Sequence, residues 1–129
     1  MNKDKIFDIV RKRYVAFTPE EEVRQKLISI LINDYHYPIT RFSLEAEIKV
    51  GQTKRRYDVL VMDKELKPFM VIECKRKEVE INEEVINQIT AYNLSLLAPY
   101  LLISNSITTI LLHKQGNSYI QEKEIPKLL

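Results

Sequence analysis

The stretch VIECKRK, residues 71–77, joins the end of an apolar run to one carboxylate, one thiol and three cations. The run begins at Phe69, and its length and composition are typical of a strand that is buried on both faces of a sheet. Charged groups at the end of a buried strand more often form a functional site than a solvated surface. The stretch therefore predicts a central strand with a candidate site at its carboxyl end.

Two runs of alternating polarity precede this strand. They are FSLEAEIKV (42–50) and RRYDVLVMD (55–63), and the turn-like residues GQTK (51–54) separate them. Alternation with period two predicts strands, and the short turn predicts that the two strands pair as a hairpin. The residues KELKP (64–68) are then expected to form a turn into the central strand.

Helical spacing precedes these three strands. Thr18, Pro19 and Glu21 occupy the positions of an N-cap, a first helical residue and the acid of a capping box. A helix is therefore predicted from this point to about Asp34, before a proline ends it. Its apolar face is expected to contain Val23, Leu27, Ile30 and Leu31.

A second helix is predicted over NEEVINQITAYNLSLL (82–97), with Asn82 as N-cap and Pro99 after its end. Its inward residues are expected to be Val85, Ile86, Ile89, Leu96 and Leu97. Short strands follow at YLLISNS, TTILLHK and SYIQ. A helical crossover of this length joins parallel strands, so the central strand and the strand after the helix should be parallel.

The predicted fold is α/β, a mixed sheet flanked by helices with an αβββαβ core. The length of 129 residues predicts one domain, residues 1–129. The net charge of +2 does not by itself indicate nucleic-acid binding. Any surface that binds nucleic acid must therefore come from local clusters of cations. The amino terminus lacks a signal peptide and no window approaches a membrane span, so we expect a cytoplasmic protein without a membrane partner.

Three residues on neighbouring strands could carry chemistry. Asp58 lies on the second strand, and Glu73 and Lys75 lie on one face of the third. Converging carboxylates repel unless a cation joins them, and Mg²⁺ takes such ligands. An adjacent lysine can position the attacking water or offset charge on a phosphate. The alternative, a cross-strand salt bridge on a solvated face, is weakened because the strand is predicted to be buried.

Glu20 is a further possible ligand. It lies in the middle of the predicted apolar face of the first helix, whereas Glu21 and Glu22 are predicted to point elsewhere. A charge in an apolar stripe requires a partner. Acidic residues are also favoured at helix amino termini by the helix dipole, so Glu20 has a simpler interpretation. The sequence leaves both interpretations open, and it does not decide between Glu20 and Glu21 as the ligand on this helix.

These motifs resemble a known family. RRYDVLVMD followed by PFMVIECKRK resembles the PD-(D/E)XK nuclease superfamily. TPEEEVRQKL, QITAY and APYLLISN resemble in particular the amino-terminal nuclease domain of type I restriction enzyme R subunits. The resemblance extends from Thr18 to about Leu112, and it implies a restriction-endonuclease-like fold. Tyr57 replaces the proline that usually precedes the aspartate in this family.

The resemblance implies a metal-dependent DNA endonuclease. Asp58 and Glu73 would bind Mg²⁺ or Mn²⁺, and the carbonyl of Cys74 would add a ligand. Lys75 would assist the attacking water, and Glu20 would complete the shell. The family's Q-x-x-x-Y motif is matched by Gln88 and Tyr92, which would lie near the site. Geometry alone favours a simpler interpretation, in which Tyr92 is a half-buried aromatic and Gln88 is its hydrogen-bonding neighbour one helical turn away.

Cations bracket the predicted site on both strands: Lys54, Arg55, Arg56, Arg76 and Lys77. Such a cluster would hold DNA phosphates without reading sequence, although cations on a hairpin also occur as a solvated edge. The chain lacks a nucleotide-binding G-x-x-x-x-G-K-[ST] loop. Expected partners are therefore DNA and, by resemblance, an ATP-dependent translocase and restriction-modification subunits. The alternatives are a DNA-binding or docking module of the same fold with little or no catalysis, and a structural interaction domain.

Overall fold

A six-stranded mixed sheet with a helix on each face forms most of the structure. The computed structural model describes residues 4–93 and 98–128, and only the backbone at positions 48, 50, 53, 55 and 92. The elements are β1 (Lys5–Asp8), β2 (Arg13–Ala16), α1 (Pro19–Asn33), a 3₁₀ turn (Ile39–Arg41), β3 (Phe42–Val50), β4 (Thr53–Met62), β5 (Pro68–Cys74), α2 (Glu83–Asn93), β6 (Tyr100–Ser104), β7 (Thr109–Gln115) and β8 (Ser118–Glu122).

The order of the sheet confirms the predicted α/β fold with its αβββαβ core. Strands β3 to β8 lie side by side in chain order, so β5 is central between β4 and β6. Strands β3 and β4 form the predicted antiparallel hairpin, and β5 pairs with β6 in parallel through the α2 crossover. The register pairs Val59 with Ile72. One step closer to the carboxyl end of β5, Asp58 and Glu73 are therefore neighbours.

Strand β5 is buried on both faces, as its apolar run predicts. Met70, Ile72 and Cys74 pack into the apolar cluster on the α1 side of the sheet. Val71 packs into the second cluster on the α2 side, which also holds Ile89 of α2. The predicted central position of β5 is confirmed, and its carboxyl end emerges from between two cores.

The first helix begins and ends where the sequence predicts. Thr18 Oγ1 accepts a hydrogen bond from the Glu21 backbone N–H at 3.0 Å, and Asp34 is the C-cap. The predicted apolar face is wrong at one residue, because Ile30 is 40% exposed whereas Ile28 is fully buried. The buried face is therefore rotated toward Arg24 and Ile28, although Val23, Leu27 and Leu31 are buried as predicted.

Helix α2 begins as predicted. The side-chain oxygen of Asn82 accepts a hydrogen bond from the Val85 N–H at 3.0 Å, which satisfies one free donor of the first turn. Ile89 is buried, and Val85 and Ile86 pack partly against the same cluster. The predicted end of the helix, with Leu96 and Leu97, lies outside the described residues.

The hairpin of β1 and β2 was not predicted from the sequence. Its turn is capped by Asp8, whose Oδ1 accepts hydrogen bonds from the N–H groups of Val10 and Arg11, each at 3.0 Å. The Ile9 N–H donates to Gln25 Oε1 on α1 at 3.0 Å. The hairpin is thus attached to the helix that covers one face of the main sheet.

The carboxyl-terminal segment is attached beside the end of α1. The buried Tyr37 hydroxyl donates a hydrogen bond to the Pro126 carbonyl oxygen at 2.6 Å. This bond joins residues that are far apart in the chain. In the part of the chain that the structure describes, no helix is long and apolar enough to cross a membrane.

The rotated face of α1 can be tested by a matched pair of substitutions. Ile28→Ala should lower the free energy of unfolding by about 2–5 kcal/mol, because it leaves a cavity between α1 and the sheet. Ile30→Ala removes the same atoms from an exposed position and should cost under about 1 kcal/mol. Urea denaturation monitored by circular dichroism measures both. Equal losses would contradict the observed helix orientation.

Candidate functional site

A cleft of about 710 Å³ opens at the carboxyl end of β5. It lies between the amino end of α1, the β1–β2 hairpin and the middle of the β3–β4 hairpin. Six residues singled out from the sequence line it: Glu20, Asp58, Glu73, Cys74, Lys75 and Arg76. The structure thus brings the predicted acids and the predicted lysine to one place.

A local irregularity turns Asp58 toward this cleft. Tyr57 packs on the α2 side of the sheet, whereas Val59 packs on the α1 side. On a regular strand, side chains two residues apart lie on the same face, so Tyr57 and Val59 would be expected to share one. On the partner strand, Glu45 has a left-handed backbone with φ of 51° at the corresponding position. Both strands therefore change face here, and Asp58 lies at the point of change.

The carboxyl groups of Asp58 and Glu73 interact directly. The Cys74 backbone N–H donates to Asp58 Oδ2 at 3.0 Å, which fixes one oxygen of that carboxylate. Burial raises the pKa of Glu73 to about 8, and the charge and hydrogen bond of Asp58 act in the same direction. Without a cation, the pair therefore keeps a proton near neutral pH.

Lys75 follows the last residue of β5 and lies half-buried in the cleft. Its backbone N–H donates to the Ser104 carbonyl oxygen on β6 at 2.8 Å, so its position is fixed by the parallel strand pair. Its positive charge lowers the pKa of Glu73 and opposes the effects of burial and Asp58. The lysine is therefore close enough to act on the same carboxylate pair.

Cys74 is directed into the core. Its side chain belongs to the apolar cluster on the α1 side, and burial raises the pKa of its thiol far above the usual range. The thiol therefore packs as a small apolar group. The ligand role proposed for this residue concerns its backbone carbonyl alone.

The orientation predicted for the acids of α1 is wrong. Glu20 is exposed at the rim of the cleft, whereas Glu21 is only 7% exposed and lines its wall. The reason is the rotation of the helix toward Ile28, which turns Glu21 inward. The second half of the predicted capping box is also not formed, because the Glu21 carboxylate contacts other side chains.

Glu21 is held by a buried arginine that sequence reasoning missed. Arg24 donates from Nε to Glu21 Oε2 at 2.8 Å and from Nη2 to Oε1, and Gln25 Nε2 donates to Oε2 at 3.1 Å. Burial lowers the pKa of Arg24, but its bond to Glu21 and the surrounding carboxylates outweigh this effect and raise it. Arg24 Nη1 also lies 3.5 Å from the Asp58 carbonyl oxygen. The arginine therefore connects α1 to the strand of Asp58.

Glu45 and Arg11 complete the wall of the cleft, and neither was predicted. Glu45 Oε2 lies 2.9 Å from Arg11 Nη2 and 3.2 Å from Arg56 Nη2. Burial raises the pKa of Glu45, but the bond to Arg11 and the nearby arginines outweigh it, so the net shift is downward. The spacing of Glu21 and Arg24 on an apolar helix face is a signal that sequence analysis could have used. No local pattern identifies Glu45 or Arg11.

The predicted DNA-binding cations do not form one uniform patch. Arg56 contacts Glu45, and Lys77 Nζ lies 4.0 Å from Glu22 Oε1. Arg76 is exposed and lines the cleft. Lys54 is exposed, and the side chain of Arg55 lies outside the described residues. Among the predicted cations whose side chains the structure describes, Arg76 is the one that lines the cleft.

The Q-x-x-x-Y motif on α2 has one described side chain, that of Gln88, and it does not reach the cleft. Gln88 is exposed and does not line the cleft, because α2 packs on the other face of the sheet through Ile89. The side chain of Tyr92 lies outside the described residues. Its predicted position near the site stays a prediction.

The acids of the cleft do not form a preassembled metal cage. Among residues 4–93 and 98–128, no group of three or more His, Cys, Asp or Glu side chains is placed to hold a metal ion. Glu21 is the buried acid among those that line the cleft, and its carboxylate is engaged by Arg24 and Gln25. Asp58 and Glu73 are the half-buried carboxylates of the cleft, and Glu20 lies exposed at its rim.

The raised pKa of Glu73 predicts a pH dependence of stability. Its value of about 8 exceeds the ordinary 4.5, so folding takes up a proton between these values and stability falls as pH rises through this window. In EDTA, Glu73→Gln should remove that fall and raise Tm at pH 8 by at least about 3 °C. The exposed Glu80→Gln is the control. Parallel Tm profiles of parent and Glu73→Gln would contradict the assignment.

The pairing of Arg24 with Glu21 predicts a second effect on stability. Arg24→Met leaves a buried carboxylate without its cation and should lower the free energy of unfolding by about 3 kcal/mol. The double variant Glu21→Gln/Arg24→Met removes both charges and should recover most of that loss. Urea denaturation measures the three proteins. If the double variant is as unstable as the single one, packing rather than charge explains the loss.

The sequence matches one known protein family over most of its length. Residues 19–126 match the family described as the Type I restriction enzyme R protein N terminus. This range includes both helices, the six-stranded sheet and both carboxylates of the Asp58–Glu73 pair. No curated protein matches the sequence. Because the family match covers well over half of the chain, the protein belongs to the family of type I restriction enzyme R protein N termini.

Proposed function

We propose that this chain is a metal-dependent DNA endonuclease domain of the PD-(D/E)XK type. The observation that carries the proposal is the Asp58–Glu73 carboxylate pair beside Lys75 at the end of a central strand. Family membership supports it, because the matched residues 19–126 include all three of these residues. The proposed reaction is hydrolysis of a phosphodiester bond.

The oxygen donors of the cleft fit Mg²⁺. This ion is commonly held by one or two carboxylates, with water and substrate phosphate completing the octahedron. Asp58 and Glu73 supply two carboxylates that retain a proton when no cation is present, so a divalent ion would relieve their repulsion. The carbonyl of Cys74 is the proposed additional ligand. Mn²⁺ fits the same oxygen donors.

Each residue of the site has a separate task in this proposal. When bound, the metal supplies Lewis-acid polarisation of the phosphate and a lower pKa for water. Asp58 and Glu73 hold it, and Arg24 keeps the strand of Asp58 in place through its contact with the Asp58 carbonyl. Lys75 orients the attacking water and offsets the negative charge that develops on the phosphate. Arg76 contributes a phosphate contact at the rim.

The same proposal assigns the partners. The cations near the cleft would bind the DNA backbone, with an affinity that falls as salt rises. Type I restriction enzymes combine a nuclease with an ATP-dependent translocase and restriction-modification subunits, and this chain has no nucleotide-binding loop of its own. We therefore propose that DNA is delivered to the cleft by a motor in another part of the assembly.

A second candidate function is a DNA-binding or docking module with weak catalysis. The engagement of Glu21 by Arg24 favours it, because this buried acid of the cleft wall is not free to bind an ion. The two candidates differ in one measurable property, which is the turnover of DNA in the presence of Mg²⁺.

The roles of Lys75 and Asp58 can be separated experimentally. Lys75→Ala keeps both carboxylates, so Mg²⁺ should still bind while cleavage falls by about two orders of magnitude. Asp58→Ala removes a ligand, so Mg²⁺ affinity and cleavage should fall together. Calorimetry with Mg²⁺ and a plasmid nicking assay, with a translocase partner supplied where cleavage requires one, measure both. The matched control is Lys67→Ala, an exposed lysine before the opposite end of β5.

The outcomes distinguish the candidate functions. Cleavage by Lys75→Ala at the parental rate, or normal Mg²⁺ binding by Asp58→Ala, would overturn the assigned roles. DNA binding by the parent without any nicking, with or without the motor, would support the docking module instead.

A further inference from the structure

An exposed aromatic pair lies on the β1–β2 hairpin, outside the residues that match the family. Phe7 and Tyr14 are directly opposite each other in the register, and their rings meet edge to face with centroids 5.2 Å apart. The exposed fractions are 45% for Phe7 and 69% for Tyr14. The hairpin therefore presents two aromatic rings to solvent, and the catalytic proposal gives them no role.

The backbone beneath these rings is firmly held. Asp8 caps the turn, and the Lys12 N–H donates to the Asp8 carbonyl oxygen at 2.7 Å. At the other end, the Phe17 N–H donates to the Asp4 carbonyl oxygen at 2.8 Å. The turn is also bonded to α1 through Gln25. The rings are thus carried on a fixed ribbon, which lowers the entropic cost of binding a ligand to them.

The aromatic face is continuous with the cleft. Ala16 lines the cleft and lies two residues after Tyr14, so the two side chains share one face of β2. Two residues of a strand span about 7 Å, so the first ring begins about that far from the cleft wall. A chain that leaves the cleft over Ala16 therefore meets Tyr14 and then Phe7.

The charge around the rings is positive. Lys5, on the face of the rings, and Lys12, in the turn, are exposed, and within the described part of the chain neither has an ion-pair partner. By contrast, Arg11 of the same hairpin is paired with Asp8 and Glu45. Aromatic rings that alternate with unpaired cations are the surface that binds single-stranded nucleic acid, because bases stack on the rings and phosphates meet the cations.

We propose that the outer face of this hairpin binds a single-stranded segment of DNA that leaves the cleft. An unpaired base stacks on Tyr14 and Phe7, and Lys5 and Lys12 contact the flanking phosphates. This inference rests on the proposed function for the presence of DNA in the cleft. It adds a specificity for unpaired nucleotides beside the cleavage site, which the carboxylate pair and Lys75 do not provide.

The first experiment reports stacking directly. The chain contains no tryptophan, so Tyr14→Trp in the full 129-residue protein provides a single reporter. Titration with an oligothymidine of about 20 nucleotides in EDTA should quench the indole fluorescence of this variant, because a stacked base contacts the ring. Tyr35→Trp, at an exposed aromatic 44% accessible after α1, should change little. Unchanged fluorescence of the Tyr14→Trp variant, or equal quenching of both variants, would overturn the inference.

The second experiment measures specificity. Phe7→Ala/Tyr14→Ala should weaken binding of the same oligonucleotide by about tenfold or more, since one stacked base contributes at least about fivefold. Binding of a matched duplex should change by less than about twofold, because its bases are already stacked on each other. Tyr35→Ala is the control for both. Equal loss for single strand and duplex would overturn the inference. Self-association of the parent that the double variant abolishes would instead assign the rings to a contact between copies.

The results separate this inference from the proposed nuclease function. Both measurements are made in EDTA, so neither depends on metal binding or cleavage. Stacking without any nicking activity would support the hairpin surface and reject the nuclease. Nicking activity in the parent, with no quenching of the Tyr14→Trp variant, would support the nuclease and reject the hairpin surface. Because Tyr14 is mostly exposed, the single tryptophan variant should fold even if the double variant does not.

Discussion

The burial of β5 on both faces is the constraint on which the rest of the structure depends. An apolar strand between two cores needs a helix on each side of the sheet, and the parallel β5–β6 pair needs a crossover, which α2 supplies. The polar residues of β5 can then emerge only at its carboxyl end. The fold and the location of the cleft therefore have the same cause.

The cleft combines groups that repel each other with groups that hold them in place. Asp58 and Glu73 are close enough to retain a proton, and the Cys74 N–H, Lys75 and Arg24 limit the cost of this arrangement. The buried acid of the wall, Glu21, is neutralised by Arg24. The cleft thus contains one carboxylate pair that retains a proton and one ion pair beside it.

Local sequence patterns predicted much of the fold. They predicted the candidate site only in part. The sequence predicted strands β3 to β8, the start of both helices and the parallel crossover. The spacing of apolar residues and the helix-capping residues are local signals, which explains this success. Strand pairing likewise places Asp58 beside Glu73. The β1–β2 hairpin was missed because its stability depends on contacts with α1. The predicted orientation of Glu20 and Glu21 was wrong because the packing of Ile28 sets the rotation of α1, which decides which acid faces the sheet.

The hydrogen bond from the Lys75 N–H to the Ser104 carbonyl has a consequence for the order in which the site assembles. The β3–β4–β5 segment can form early, because its pairings join neighbouring parts of the chain. The lysine becomes fixed only after α2 and β6 have been synthesised and docked, since its backbone partner lies beyond the crossover. During synthesis the acids on β4 and β5 are therefore brought together before the lysine is immobilised. A ribosome-bound chain that ends before β6 would carry both carboxylates. It would lack the Ser104 carbonyl that fixes the Lys75 backbone, so the arrangement of Asp58, Glu73 and Lys75 would be incomplete.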